Sequence, residues 1–278
     1  MKARVWSVCT LLLLCIPVIG LSRTIIVDKY GLGQYTTIQT GINAAVTGDT
    51  VKVYPGVYSE QVNVGKNIVL QGSGYEYTRI VANTDPALSI SAGKAVWFAI
   101  SSNIGKAVSM TGGTVTNCVI WNSPDLAVYY DGTLPAIIQN CTIVNNALNT
   151  DVQVFANKTG LSVINTIVWT FPSGSGRDVI GGWYSASINV VYCRFAYASS
   201  PSIDSDPQFP SLTDFKITSS SPCWDTGKPD LYDPDGSRSD MGYYGGPDAP
   251  VFPVVSDLRI VLNPDGTVTI QATAQSRY

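Results

Sequence analysis

One short motif returns at a nearly constant interval along the middle of the chain. Residues 117–122 read Asn-Cys-Val-Ile-Trp-Asn, residues 140–145 read Asn-Cys-Thr-Ile-Val-Asn, and residues 165–170 read Asn-Thr-Ile-Val-Trp-Thr. A fourth copy, Tyr-Cys-Arg-Phe, begins at Tyr192. A period in the twenties, built from β-branched runs between Asn and Gly corners, indicates a solenoid. Each unit is too short for a helical hairpin and its strands alternate apolar and polar residues, so we predict a parallel β-helix.

Stacked rungs place equivalent residues of the repeat in columns. Asn117, Asn140 and Asn165 precede the repeated strand, and Asn tolerates the left-handed backbone of a sharp corner, so we expect a corner ladder with amide stacked on amide. Alternation along the strand predicts the residues that face the core: Cys118, Ile120, Cys141 and Ile143. It predicts a second set that faces outward: Val119, Trp121, Thr142 and Val144. In the third copy either Ile167 or Val168 could face inward.

The cysteine and histidine content excludes several chemistries. Cys118 and Cys141 fall in one column, about 4.8 Å apart by strand spacing. A disulfide fits that distance, although we expect free thiols that serve as small core residues. The chain has no His, which removes Ser-His-Asp and Cys-His catalysis, and the cysteine spacing does not resemble a zinc site.

The first 22 residues have the pattern of a secretory signal peptide. Lys2 and Arg4 precede an apolar run that ends in a helix-breaking Pro17 and Gly20. We therefore predict a secreted or cell-surface protein with no membrane span in its mature chain. Removing this segment changes the formal net charge from −3 to −5, and only 13% of residues are charged. Nucleic-acid binding, which needs a basic face, is not expected.

The segment after the leader predicts a covered solenoid end. Residues 23–28 read as a first strand, and residues 35–46 read as a short amphipathic helix that Thr36 or Thr37 can cap. Since a solenoid must cover the open end of its core, this helix is the expected N-terminal cap. Residues 50–54 then form the first rung strand.

The first coil resembles a known group of proteins. Its order is Thr-Ile-Gln, then Gly-Asp-Thr-Val, then Pro-Gly-Val-Tyr-Ser-Glu at residues 55–60. This order is similar to right-handed parallel β-helix repeat proteins of the pectin lyase-like superfamily, which includes pectin methylesterases and pectate lyases. The resemblance covers about residues 24–246 and implies an all-β, right-handed parallel β-helix with a short capping helix. It does not extend to the esterase active site, so Tyr58 and Glu60 match a structural motif only.

The C-terminal part divides into three pieces. Residues 201–246 resemble the segment that closes many secreted bacterial β-helix proteins, with Ser-Pro-Cys-Trp-Asp-Thr-Gly followed by Asp-Pro-Asp-Gly-Ser-Arg. Residues 247–253 form a Pro-rich linker. Residues 254–278 begin with a predicted β-hairpin and resemble the opening of a truncated β-sandwich-like module. The predicted domains are thus 1–22, 23–246, 247–253 and 254–278.

Calcium is the best-supported chemical hypothesis. Asp233, Asp235, Ser237 and Asp240 surround Gly236 and give alternating oxygen ligands on a tight loop, as hard cations prefer. No Glu stands at the last position, so the loop is not an EF-hand. The alternative is that these aspartates cap turns and pair with Arg238.

Carbohydrate contact is the second hypothesis. Trp121 and Trp169 occupy one column two rungs apart, about 10 Å by strand spacing, so exposed rings could stack on alternate sugars. Four further aromatic residues could widen that surface: Tyr129, Tyr130, Trp183 and Tyr184. The alternative is that all these rings pack beneath loops. Trp97 and Trp224 are expected in the core or a cap.

Catalysis has the weakest support in the sequence. A lyase could draw on five residues of successive coils: Asp151, Lys158, Arg177, Asp178 and Arg194. A hydrolase could use two carboxylates among Asp125, Asp131, Asp151 and Asp178. We predict a monomeric, non-catalytic, polysaccharide-associated protein. The alternatives are a lyase or hydrolase acting on an acidic glycan, and a stalk that spaces other domains from the cell.

Overall fold

The protein folds as a parallel β-solenoid whose coils each contribute strands to three sheets. The computed structural model describes residues 22–146, 152–171, 179–183, 187–251, 254–263 and 265–275. The predicted signal peptide lies outside the described residues, apart from Ser22. Among the described residues, no helix is long and apolar enough to cross a membrane.

Each sheet is wholly parallel and grows by one strand per coil. The first sheet contains β1 (Thr24–Val27), β2 (Thr50–Val53), β5 (Val69–Gln71), β8 (Lys94–Val96), β11 (Gly113–Thr116), β14 (Ala136–Gln139), β17 (Leu161–Ile164) and β20 (Asn189–Val191). The second contains β3 (Gly56–Tyr58), β6 (Thr78–Ala82), β9 (Ala99–Ser102), β12 (Val119–Trp121), β15 (Thr142–Val144) and β18 (Ile167–Trp169). The third contains β4 (Val62–Val64), β7 (Leu88–Ile90), β10 (Val108–Met110), β13 (Val128–Tyr130), β16 (Val152–Ala156) and β19 (Val179–Gly182). The predicted all-β fold is confirmed.

The interior of the coils is a continuous apolar core. Cys118, Ile120, Cys141 and Ile143 lie in it as predicted, and Val168 is the inward residue of the third copy. The Cys118 and Cys141 thiols are free. Burial raises the pKa of Cys118 to about 12, so the thiol stays protonated and serves as a small packing group.

The corner between the first and second sheets requires the left-handed backbone predicted for asparagine. Asn117, Asn140 and Asn165 have φ values of 43°, 48° and 47°, and Tyr192 and Trp97 occupy the same corner with φ of 53° and 67°. Asparagine tolerates this conformation better than most side chains. The repeated Asn therefore fixes the position at which three successive coils turn.

The N-terminal end is covered by the expected helix. Helix α1 (Ile38–Ala44) begins after Thr37, whose side chain accepts a hydrogen bond from the Thr40 N–H, and Ile38 and Ile42 are buried. The Glu60 carboxylate accepts from the Ile38 and Gln39 N–H groups at 2.8 and 2.9 Å. The Pro-Gly-x-Tyr-x-Glu motif thus joins the first coil to its cap.

Residues 204–250, here called the strap, run back along the outside of the solenoid. The side-chain amide of Asn165 accepts a hydrogen bond from the Lys228 N–H and donates one to the Ser239 hydroxyl. On earlier coils, Asn140 donates to the Asp240 carbonyl oxygen, and Asn117 donates to those of Tyr243 and Gly245. The expected amide-on-amide ladder is wrong in this respect, because the Asn side chains bind the strap.

The strap also covers the outer face of the second sheet. Val119 and Val144, predicted to face outward, are fully buried in a second apolar cluster with Phe215, Met241 and other strap residues. Thr142 is buried as well, and its hydroxyl accepts from the Tyr243 N–H at 3.0 Å. Alternation therefore predicted correctly that these side chains point away from the solenoid core, but the strap separates them from solvent.

The C-terminal hairpin forms as predicted. Strand β21 (Val254–Leu262) pairs antiparallel with β22 (Val268–Gln275), with Ile260 opposite Ile270.

Candidate functional site

The predicted tryptophan strip does not face solvent. Trp169 is 3% exposed, and the Arg194 guanidinium lies 3.8 Å from its ring centroid. Trp121 is half-buried and packs edge-on against Phe215 of the strap, with ring centroids 6.1 Å apart. The expectation of two exposed rings is therefore not met, because the strap occupies the place that sugars were expected to fill. Trp224 packs against the same cluster.

A different column of side chains does face outward, on the third sheet. Its strands place one residue each on the outer face, and paired strands align them in the order Asn63, Ser89, Ser109, Tyr129, Phe155 and Gly181. The flanking residues of each strand, such as Leu88 and Ile90, point into the core. These six residues are called the outer column.

Two rings of this column and one neighbouring ring form a cluster, here called the aromatic strip: Tyr129, Phe155 and Trp183. Tyr129 and Phe155 are strand partners, with ring centroids 6.2 Å apart and planes 3° from parallel. Trp183 stands nearly perpendicular to Phe155, at 86° and 5.9 Å, and is 59% exposed. The strip thus combines two half-buried parallel rings with one exposed indole ring.

Charged groups border one edge of the strip. The Lys106 ammonium lies 2.8 Å from Asp85 and 3.6 Å from Asp125, and 5.8 Å from the centre of the Tyr129 ring. Burial alone would lower the pKa of Lys106, but the two carboxylates outweigh it and hold that pKa above its usual value. This ammonium is therefore charged and already paired.

The opposite edge carries hydrogen-bonding groups. Asp131 follows β13 and Asn157 follows β16, and the Asn157 amide donates to the exposed Asp131 carboxylate at 3.0 Å. A carboxylate accepts several hydrogen bonds and an amide both donates and accepts, so together they suit the hydroxyl groups of a sugar.

The sequence named two members of this strip and missed the third. Tyr129 and Trp183 were expected to widen a tryptophan surface, whereas Tyr130 faces the core and is fully buried. Tyr184 lies outside the described residues. Phe155 was missed because the motif that marks the repeat lies on the second sheet and does not include β16. The repeat interval is the signal that could have found it, since Phe155 follows its strand partner Tyr129 by 26 residues.

Two of the predicted calcium ligands meet in the strap, together with a third carboxylate. One ligand oxygen each of Asp225, Asp233 and Asp240 lies within 4.8 Å of the others. Asp235 and Ser237 instead bond to each other, because the Ser237 N–H and hydroxyl both donate to Asp235 at 2.8 and 2.6 Å. Calcium binding stays a prediction, and the loop aspartate Asp235 acts as a turn cap.

The buried member of this cluster has an unusual acidity. Asp233 is 4% exposed, and burial, with added repulsion from Asp235 and Asp225, raises its pKa to about 6. Backbone N–H groups of Gly246 and Asp240 donate to its two oxygens and oppose that rise. The protonation state of Asp233 therefore changes in mild acid.

The described catalytic candidates do not converge. Arg194 is buried and donates to the Val168 and Ser205 carbonyl oxygens at 2.7 and 2.9 Å. Asp125 and Asp131 stand at opposite edges of the strip, the former beside Lys106, and Lys158 is exposed. The remaining candidates, Asp151, Arg177 and Asp178, lie outside the described residues.

Comparison with known proteins yields little. No protein-family model matches the chain, and no curated protein matches it either. Among solved structures, the chain is similar to pectin methylesterase PemA from Erwinia chrysanthemi, with 15% identity and a TM-score of 0.38 over 55% of this chain and 67% of that chain. That protein belongs to a group that the first coil resembles. A likeness at this level carries no argument about the site, so the β-helix assignment rests on the strand pairings above.

Proposed function

We propose that this is a secreted, non-catalytic β-helix protein that binds polysaccharide on the outer face of its third sheet. The observation that carries the proposal is the aromatic strip of Tyr129, Phe155 and Trp183. Aromatic rings with an apolar face and a wet edge suit ligands that are apolar on one side and polar on the other, as sugar rings are. The polar edge groups Asp131 and Asn157 supply hydrogen bonds to hydroxyls.

The experiment is affinity gel electrophoresis of the protein through a panel of neutral and acidic polysaccharides. Tyr129→Ala, Phe155→Ala and Trp183→Ala are each expected to weaken retardation about two- to tenfold, because one aromatic ring contact contributes on the order of 0.5–1.5 kcal/mol. Tyr30→Ala is the matched control, since Tyr30 is an exposed aromatic side chain of the first coil.

Two outcomes would contradict the proposal. Retardation that is unchanged in all three strip variants would show that these rings are not the binding surface. Release of reducing ends or unsaturated products from a bound polysaccharide would make the protein an enzyme, which is the alternative function predicted from the sequence.

A further inference from the structure

The outer column of the third sheet is uncharged along its whole length. Its members are Asn63, Ser89, Ser109, Tyr129, Phe155 and Gly181, which are aligned by strand pairing. Six rungs at a spacing of about 4.8 Å give the column a length of about 24 Å. One half offers rings, and the other half offers small hydroxyl and amide groups. A polysaccharide that lies along this column therefore contacts no charged side chain of the column itself.

The charges at the edges of the column disfavour an anionic ligand. Lys106 is paired with Asp85 and Asp125, so its charge is already neutralised where it approaches Tyr129. Asp131 is exposed at the other edge, where its hydrogen-bond partner Asn157 carries no charge. Lys158 is exposed at the same edge, two residues beyond β16, and its charge balances that of Asp131. The excess negative charge therefore lies at the Lys106 edge, where two carboxylates face one ammonium and disfavour a further carboxylate.

We infer that the third sheet selects a neutral polysaccharide and lays it along the solenoid axis across successive rungs. This inference rests on the proposed function and adds the charge class and direction of the ligand. Sugar rings stack on the aromatic strip, and the chain continues over Ser109, Ser89 and Asn63, whose side chains exchange hydrogen bonds with its hydroxyls. Gly181, the strand partner of Phe155, places no side chain beneath the sugar at the other end of the chain.

The charge class is tested with polysaccharide pairs that share one backbone. The probes are hydroxyethyl cellulose against carboxymethyl cellulose, and carboxyl-reduced polygalacturonate against polygalacturonate. The full chain is expected to bind the neutral member of a pair at least about tenfold more tightly at low salt, where exposed charges act most strongly. Asp131→Lys is expected to reduce that preference, and Tyr30→Ala is expected to preserve it.

The direction of the ligand is tested at positions remote from the rings. Ser109→Glu and Ser89→Glu are expected to weaken binding of the neutral polysaccharide several-fold, because they place a charge beneath the chain. Ser162→Glu is the matched control, since Ser162 faces outward on the first sheet. Affinity for neutral oligosaccharides is also expected to rise with length until the ligand spans about 24 Å, the length of the column at about 4.8 Å per rung.

The outcomes separate the inference from the function on which it rests. Absence of binding to every polysaccharide overturns both. Binding that is lost in Trp183→Ala but is equal or tighter for the acidic member overturns the neutral class and leaves the proposed function intact. Binding that is lost in Trp183→Ala but unchanged in Ser109→Glu and Ser89→Glu overturns the axial direction.

Discussion

Asn117 donates its side-chain amide to the carbonyl oxygen of Tyr243, 2.7 Å away and 126 positions later in the chain. The same amide donates to the carbonyl oxygen of Gly245 at 2.8 Å. One residue therefore does two things, since its left-handed backbone turns the coil and its side chain anchors the strap.

Replacing Asn117 by glycine separates these two roles. Asn117→Gly keeps the left-handed backbone accessible but removes both hydrogen bonds to the strap and the one that the Thr116 hydroxyl donates, so we expect a loss of about 1–3 kcal/mol in the free energy of unfolding. Urea denaturation measures it. Asn122→Gly is the control, because Asn122 has a φ of 51° but is exposed. Equal losses in the two variants would show that the strap contacts add nothing.

Removing a ring from the strap is expected to uncover the second sheet. Phe215 is buried against Trp121, Tyr75 and Phe209. Phe215→Ala is expected to cost about 3–5 kcal/mol and to shift tryptophan fluorescence to longer wavelength, since Trp121 becomes wetter. Leu212→Ala, at an exposed position of the same segment, is the control. An unshifted spectrum in Phe215→Ala would contradict the packing described here.

Asp233 is expected to make stability depend on pH in a direction opposite to that of most carboxylates. Its folded pKa is about 6, above the ordinary value of 3.8, so the folded state holds the proton more tightly than the unfolded state. With a chelator present, this residue's contribution to stability should increase as pH falls from about 6 to about 4, by on the order of 2–3 kcal/mol. Comparison of urea midpoints across that range with those of Asp233→Asn isolates the contribution. Parallel pH profiles for the two proteins would refute the assignment.

The calcium prediction is tested at the same cluster. Added Ca²⁺ is expected to raise the melting temperature at pH 7.5, because an ion that binds only the folded state stabilises it by mass action. Asp240→Asn should lose this shift and Asp235→Asn should keep it, since Asp235 is outside the carboxylate cluster. A melting temperature that is the same with added calcium and with chelator would rule the site out.

Filling the gap at Gly181 is expected to impair binding without unfolding the protein. A Cβ atom at this position would meet Val152 at 3.7 and 3.8 Å, which is ordinary contact. Gly181→Gln should therefore lower polysaccharide affinity about tenfold while the urea midpoint changes little. Ser162→Gln, at an outward position of the first sheet, is the control. Equal affinity in both variants would place the ligand elsewhere.

The solenoid could be predicted from the sequence because its signals are local and repeated. Asn117, Asn140 and Asn165 mark each corner by a backbone preference of the residue itself, and the alternation of Cys118 and Ile120 states which side faces the core. Helix α1 was predictable for a similar reason, since its cap and apolar face lie within one short segment.

The cover over the second sheet could not be located in this way. Alternation assigns Val119 and Val144 to the outer side, but it does not say what lies beyond them, because the strap comes from positions about 70 or more residues later. Their apolar character was the available signal, since a solvated face would favour polar residues there. Because the strap covers Trp121 and Trp169, the candidate binding rings are Tyr129 and Phe155 instead.

The strap also constrains how such a chain can evolve. Most solenoids gain or lose coils by duplication, because each repeat contacts only its neighbours. Here one continuous segment, from Lys228 to Asp248, forms hydrogen bonds with four successive coils. The side chains involved are those of Asn165, Asn140, Asn117 and Trp97. Inserting or deleting a coil between Trp97 and Asn165 would displace every later anchor by one rung, so the number of coils is tied to the length of a separate stretch of sequence.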